Sequence, residues 1–144
     1  MKYKKIRFIE REITDSEFKL MKKGFDQHSK KFGNPPLRQK RYSVVVLDNS
    51  KFVGCATGLI NDNKEWLFLT DLFIEKKYRK RGLGKEVLKR LEKKAAKVGI
   101  KHIWTWTAGF EAPKFYIKQG YKIFTEMKDY YKSGHSRIGL MKDI

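Results

Sequence analysis

Residues 66–74 (WLFLTDLFI) are apolar almost without a break. The run is short and has polar neighbours, which predicts a strand buried on both faces. Further on, Leu83, Val87, Leu88, Leu91 and Ala95 recur at helical spacing, while Lys85, Lys89, Lys93, Lys94 and Lys97 take the other face. That pattern predicts an amphipathic helix. Between the two lies Arg79-Lys80-Arg81-Gly82-Leu83-Gly84, a basic turn that opens directly onto the helix start.

The remaining elements follow from the same periodicities. Residues 3–12 alternate weakly, with Ile6 and Phe8 among charges, and fit a first strand. Thr14-Asp15-Ser16-Glu17 supplies capping residues ahead of Phe18, Leu20, Met21 and Phe25, predicting a helix over 15–31 that Gly33-Asn34-Pro35-Pro36 stops. Residues 41–48 and 51–60 read as strands joined by a tight turn at Asp48-Asn49-Ser50. A second turn, at 61–64, leads into the 66–74 strand. After the helix, Val98-Gly99 and residues 100–106 (IKHIWTW) predict a crossover to a parallel neighbouring strand. Trp104 and Trp106 share one face of it, as core packing requires. Pro113 and Gly120 bound a short helix. Residues 121–127 and 135–141 read as two closing strands.

Composition bounds the class. A chain of 144 residues with 40% hydrophobic content suits one domain spanning 1–144. No run is long enough for a membrane span, and the N-terminus lacks the apolar segment of a signal peptide, so a cytoplasmic home is expected. Cys55 is the single cysteine and sits in a strand-like run, so a buried thiol is expected rather than a nucleophile. His28 has no ligand partner at helical spacing, so no metal site is expected. The net charge of +18 has two readings, attraction to an anionic ligand or a solvated lysine-rich surface. No helix-turn-helix, zinc finger or RNA-recognition sequence appears, and nucleic acid is not the expected partner.

The basic turn carries the chemistry. A helix N-terminus presents unpaired N–H groups and the positive end of the helix dipole. Gly82 and Gly84 let the backbone come close to a ligand, and Arg79, Lys80, Arg81 and Lys85 add charge, which points to a phosphate or pyrophosphate. The P-loop pattern fails, because Glu86 follows Lys85 and no glycine stands at position 79. The dinucleotide fingerprint fails too, because its third glycine is Val87.

What remains, Arg79-x-x-Gly82-x-Gly84 after a strand, resembles the Arg/Gln-x-x-Gly-x-Gly/Ala signature of the GNAT superfamily of N-acetyltransferases. Ala112-x-x-Phe115-Tyr116-x-x-x-Gly120-Tyr121 resembles that family's second signature, and the order of elements matches along nearly the whole chain. The resemblance implies an α/β (α+β) fold: a mixed, mostly antiparallel central sheet of about seven strands with helices on both faces. It implies acetyl-CoA as the donor, with its pantetheine arm between the strand ending at Ile74 and the strand of Trp104. Backbone groups at Phe73 and Ile74 would pair with the arm. Arg79 and the N–H groups of Arg81, Gly82, Leu83, Gly84 and Lys85 would take the pyrophosphate. Tyr116 corresponds to the tyrosine that faces the sulfur and protonates the leaving thiolate. The one departure is Gly109, where the family commonly has asparagine.

The implied reaction is acetyl transfer to a primary amine, which must first lose a proton at a pKa of about 10. Asp71, a carboxylate inside an apolar strand, is a candidate base whose pKa burial would raise. Glu75, Glu111 and a water chain stay open. The acceptor, a small molecule or a protein amine, is not named by any residue pattern. A positive surface disfavours polycations unless a local acidic pocket reverses that. Two other functions compete: a non-catalytic GNAT-like domain that binds CoA and a partner, and a basic nucleic-acid-binding module. Homodimers occur among similar folds.

Overall fold

A computed structural model describes residues 6–34, 39–60 and 65–144. Two compact units divide the chain, residues 1–37 and 38–144. The expected turn at 61–64 and the pair Pro35-Pro36 lie outside the described residues.

In the first unit, α1 spans Asp15–Lys31. Its start is set by a reciprocal cap. The Glu17 amide donates to Thr14 Oγ1 at 3.3 Å, and the Thr14 amide donates to Glu17 Oε2 at 2.8 Å. Arg11 adds a two-pronged bond to the same carboxylate, and together these hold Glu17 down at about 2. His28 packs edge-on against Phe32 at 5.1 Å. Residues 6–12, the described part of the expected first strand, form no strand among the described residues, and Ile6, Phe8 and Ile9 are exposed. Charges at Arg7, Glu10, Arg11 and Glu12 leave this stretch no continuous apolar face to bury. The described sheet therefore has six strands rather than about seven.

The second unit is that sheet with two helices. The strands are β1 (Lys40–Asp48), β2 (Lys51–Ile60), β3 (Trp66–Ile74), β4 (His102–Ala108), β5 (Lys122–Met127) and β6 (Arg137–Asp143). Their order is β1-β2-β3-β4-β6-β5, and β3–β4 is the parallel pair. Helices α2 (Leu83–Ala96) and α3 (Pro113–Lys118) complete it. On α2 the apolar stripe Val87, Leu88, Leu91 and Ala95 is buried against Ala56, Ile60, Leu67, Leu69 and Ile103 of the sheet. Each valine, leucine or isoleucine among them contributes about 1.5–3 kcal/mol, which fixes the face of the helix that meets the strands. Gly99 and Gly120 end the helices at φ 92° and 91°.

β3 departs from a strand buried on both faces. Leu67 and Leu69 are buried, but Asp71 and Phe73 are exposed. A bulge explains the change. Thr57 pairs with Asp71 and Gly58 with Leu69, so Thr70 is an extra residue. It flips the inward parity: Leu67 and Leu69 face the core before it, and Leu72 and Ile74 pack there after it. The face of β3 and β4 away from this core carries an aromatic row. Trp66 stacks on His102 and Phe68 on Trp104, and Trp104 meets Trp106 edge-on. Both tryptophans share that face as expected, but they are half-buried rather than enclosed.

Candidate functional site

The site begins where β3 and β4 stop pairing. Their ladder consists of Trp66–His102, Leu67–Ile103 and Phe68–Trp104. β3 runs on to Ile74 paired only with β2, and β4 runs on to Ala108 paired only with β6. The two strands thus leave a wedge with unpaired backbone facing into it. At its apex the buried Thr105 hydroxyl donates to the Leu69 carbonyl at 2.9 Å.

The open end of the wedge meets the start of α2. Gly82 is the cap residue at φ 77°, and no side chain bonds the first-turn amides. The Glu86 amide returns to the Gly82 carbonyl at 3.0 Å, leaving the N–H groups ahead of it for a ligand. A positive φ here favours glycine, since any Cβ would strain the backbone. Arg79 fixes this loop to the strand end, its Nε donating to the Ile74 carbonyl at 2.8 Å.

Wedge and helix start share one cleft of about 980 Å³. Among the residues singled out in the sequence, Asp71, Phe73, Ile74, Arg79, Gly82, Leu83, Gly84, Lys85 and Tyr116 all line it. Arg81 does not. Its guanidinium lies over the Tyr78 ring, 5.4 Å from the centroid. Asp71 lines the cleft but is exposed, not buried as expected. Glu75 is outside the lining and pairs with Lys51 at 3.8 Å. Glu111 is inside it, accepting from Thr107 Oγ1 at 3.3 Å and the Ala108 amide at 3.4 Å. Gly109 donates its amide to the Ser136 carbonyl.

Tyr116 sits on α3, 6% exposed, between the rings of Phe115 and Tyr121. Burial above all pushes its hydroxyl up to about 12; a hydrogen bond shared with Thr105 opposes this, and the Glu111 and Asp71 carboxylates add to it. A proton therefore stays on Tyr116 at neutral pH, in the cleft that the Glu111 and Asp71 carboxylates also line. Thr105, Trp106 and Phe110 are lining residues that the sequence did not assign to the site. Thr105 had a signal: a polar residue at an inward strand position must find a partner. Cys55 is half-buried, and burial, then the charge of Asp71, raise its thiol. Among the described residues no His, Cys, Asp or Glu cluster has the arrangement of a metal site, and no helix is long and apolar enough to cross a membrane.

Comparison with known proteins agrees with this geometry. The family model "Acetyltransferase (GNAT) family" matches residues 8–121. The uncharacterized N-acetyltransferase YjcF of Bacillus subtilis (strain 168) is 31% identical over 107 residues, 74% of this chain and 74% of its own. An acetyltransferase crystal structure from Bacillus cereus ATCC 14579 superposes with TM-score 0.82 at 26% identity, covering 96% of this chain and 98% of that one. An aminoglycoside 6'-N-acetyltransferase complexed with coenzyme A shares the fold at TM-score 0.65 and 20% identity, over 81% of this chain and 78% of its own. With two signatures, a wedge between parallel strands and matches over most of its length, this chain belongs to the GNAT acetyltransferase family.

Proposed function

We propose that the chain transfers the acetyl group of acetyl-CoA directly to a primary amine of a small molecule. The observation that carries this is the continuity of the β3–β4 wedge with the uncapped start of α2 in one cleft. The complex of the aminoglycoside acetyltransferase with coenzyme A supports the same ligand here.

In this reading the diphosphate rests on the N–H groups of Gly82, Leu83, Gly84 and Lys85, with the helix dipole behind them. Arg79 acts by holding the loop to Ile74 rather than by gripping phosphate with Nε. The unpaired edge of β3, through Phe73 and Ile74, pairs with the pantetheine arm. An N–H there also faces the oxygen that becomes negative in the tetrahedral intermediate.

The acceptor arrives as an ammonium beside Asp71 and Glu111. Asp71, exposed to water, passes its proton to solvent. The neutral amine attacks the thioester carbonyl, forming the C–N bond and a tetrahedral alkoxide. Collapse breaks the C–S bond. Tyr116 gives its proton to the departing thiolate and regains one from the newly bonded nitrogen. The products are the amide and free CoA.

The test is a panel of small amines assayed for free thiol, alongside titration with acetyl-CoA. Thiol release that depends on the amine and falls in Tyr116→Phe supports the reading. Binding of acetyl-CoA without release for any amine would leave a CoA-binding domain that does no chemistry. Absence of acetyl-CoA binding at millimolar ligand would remove the reading altogether.

A further inference from the structure

Beside the main cleft lies a second hollow of about 220 Å³, lined by Lys85, Leu88, Lys89, Glu92, Gln119 and Lys142. Lys85, Leu88, Lys89 and Glu92 follow i, i+3, i+4, i+7 and so share one face of α2. The single acid there is already committed. Glu92 Oε2 takes the Lys142 ammonium at 2.9 Å, and Oε1 takes the Tyr121 hydroxyl at 3.1 Å. Lys85 and Lys89 make no hydrogen bond or close ion pair among the described residues. Glu86, whose field reaches Lys89, is held by Arg90 at 2.7 Å. The hollow therefore keeps an excess of positive charge with two ammonium groups ready for an anion.

Its position says which anion. Lys85 and Gln119 line both the hollow and the main cleft, so the two spaces adjoin at the first turn of α2. Lys89 stands one helical turn further along, a rise of about 5.4 Å. Coenzyme A carries a phosphate monoester on the 3′ oxygen of its ribose, one sugar ring away from the 5′ diphosphate. We infer that Lys89, with Lys85 and Lys142 around it, forms a subsite for that 3′-phosphate. The inference rests on the reading of the main cleft as the acetyl-CoA site. It adds a specificity which that reading lacks: selection of the phosphorylated donor over its 3′-dephospho form. A lysine suits the task as a mobile point charge toward a dianion.

The experiment compares affinities for acetyl-CoA and acetyl-3′-dephospho-CoA by titration calorimetry. Wild type should prefer acetyl-CoA by about tenfold at low salt, with the preference shrinking as ionic strength rises. Lys89→Gln should collapse the ratio toward one, whereas Lys93→Gln, outside both spaces, should keep it. Equal affinities in wild type, or a preference that survives Lys89→Gln, would overturn the subsite. Failure of both donors to bind would instead count against the function proposed for the main cleft.

Discussion

Thr105 Oγ1 donates to the Leu69 carbonyl oxygen at 2.9 Å, one step beyond the Phe68–Trp104 rung where the β3–β4 ladder ends. A side chain thus makes the bond that the next backbone rung would have made, and the strands separate from there. The same residue lines the cleft with Tyr116 and acts on its hydroxyl. The apex of the wedge thus adjoins the proposed acid.

Replacing Thr105 with Val keeps the shape and removes the hydroxyl. The Leu69 carbonyl, in a residue 1% exposed, is then left without this partner. A buried acceptor so abandoned costs about 1–3 kcal/mol. Thermal unfolding should show Thr105→Val melting lower, by about 3–5 °C per kcal/mol for a chain of this length, with Thr105→Ser restoring most of it. An unchanged melting temperature for the valine variant would mean that the bond does not hold the apex.

Tyr116→Phe removes the proposed proton donor and little else, since the ring packing with Phe115 and Tyr121 is retained. Loss of a positioned acid costs roughly a hundredfold or more in rate. The expected result is a fall of that size in kcat with acetyl-CoA affinity kept within about threefold. Steady-state assays of thiol release and a donor titration separate the two. A kcat unchanged by the substitution would show that the thiolate finds its proton elsewhere.

The pH dependence follows from the raised Tyr116 hydroxyl. A group whose pKa is higher folded than unfolded favours the folded state below the unfolded value and loses that contribution as pH rises through the folded one. For Tyr116 the window runs from about 10 in the unfolded chain to about 12. Across the same window the acid is lost to catalysis. Below pH 10, kcat/KM should therefore climb as the acceptor ammonium deprotonates, with no descending limb from Tyr116. A descending limb near pH 8–9 that disappears in Tyr116→Phe would refute this assignment of the acid.

Much of this arrangement was readable from residues. Thr14 and Glu17 marked the start of α1, and Asp48-Asn49-Ser50 marked the β1–β2 turn. The stripe Leu83 to Ala95 marked both α2 and its buried face. The glycine turn was visible because its spacing is local, and Tyr116 because the motif around it resembles the family's second signature. The bulge at Thr70 was not, because an inserted residue leaves a run of apolar letters intact while reversing which of them face inward. The exposure of Asp71 was hidden for that reason: counting by twos through WLFLTDLFI does not reveal that the strand beyond Thr70 loses its β4 neighbour and opens to water. The resting place of the Arg81 side chain was not readable for another reason. A long cation next to an aromatic residue has two comparable resting places, and the ring of Tyr78 holds it.

The two glycines of the turn should respond differently to alanine. Gly82 has φ 77° with open space around the missing Cβ, so the penalty is backbone strain of about 1–2 kcal/mol. That strain falls on the residue that aims the first amides of α2. A Cβ on Gly84 would meet the Phe115 ring at 3.6 Å and Ile74 at 3.9 Å, which is ordinary contact, inside a helix that favours alanine. Gly82→Ala should melt lower and bind acetyl-CoA about tenfold more weakly, while Gly84→Ala should keep its melting temperature. Equal behaviour of the two variants would show that the left-handed cap does not shape the anion site.

The last expectation concerns the acceptor. The chain carries +18, yet the cleft is polarised: Arg79, Lys80 and Lys85 line it near α2, and its two carboxylates, Asp71 and Glu111, both act on Tyr116. A positive surface slows approach of a cation, but two acids at the reacting centre favour holding one once it arrives. Asp71→Asn and Glu111→Gln should each raise KM for a diamine several-fold more than for a monoamine of equal length. Neither should weaken acetyl-CoA, because removing a negative charge near an anionic donor does not oppose its binding. Matched KM series across monoamine, diamine and amino acid acceptors provide the measurement. A KM ratio between diamine and monoamine that neither substitution moves would mean that these carboxylates do not select the acceptor.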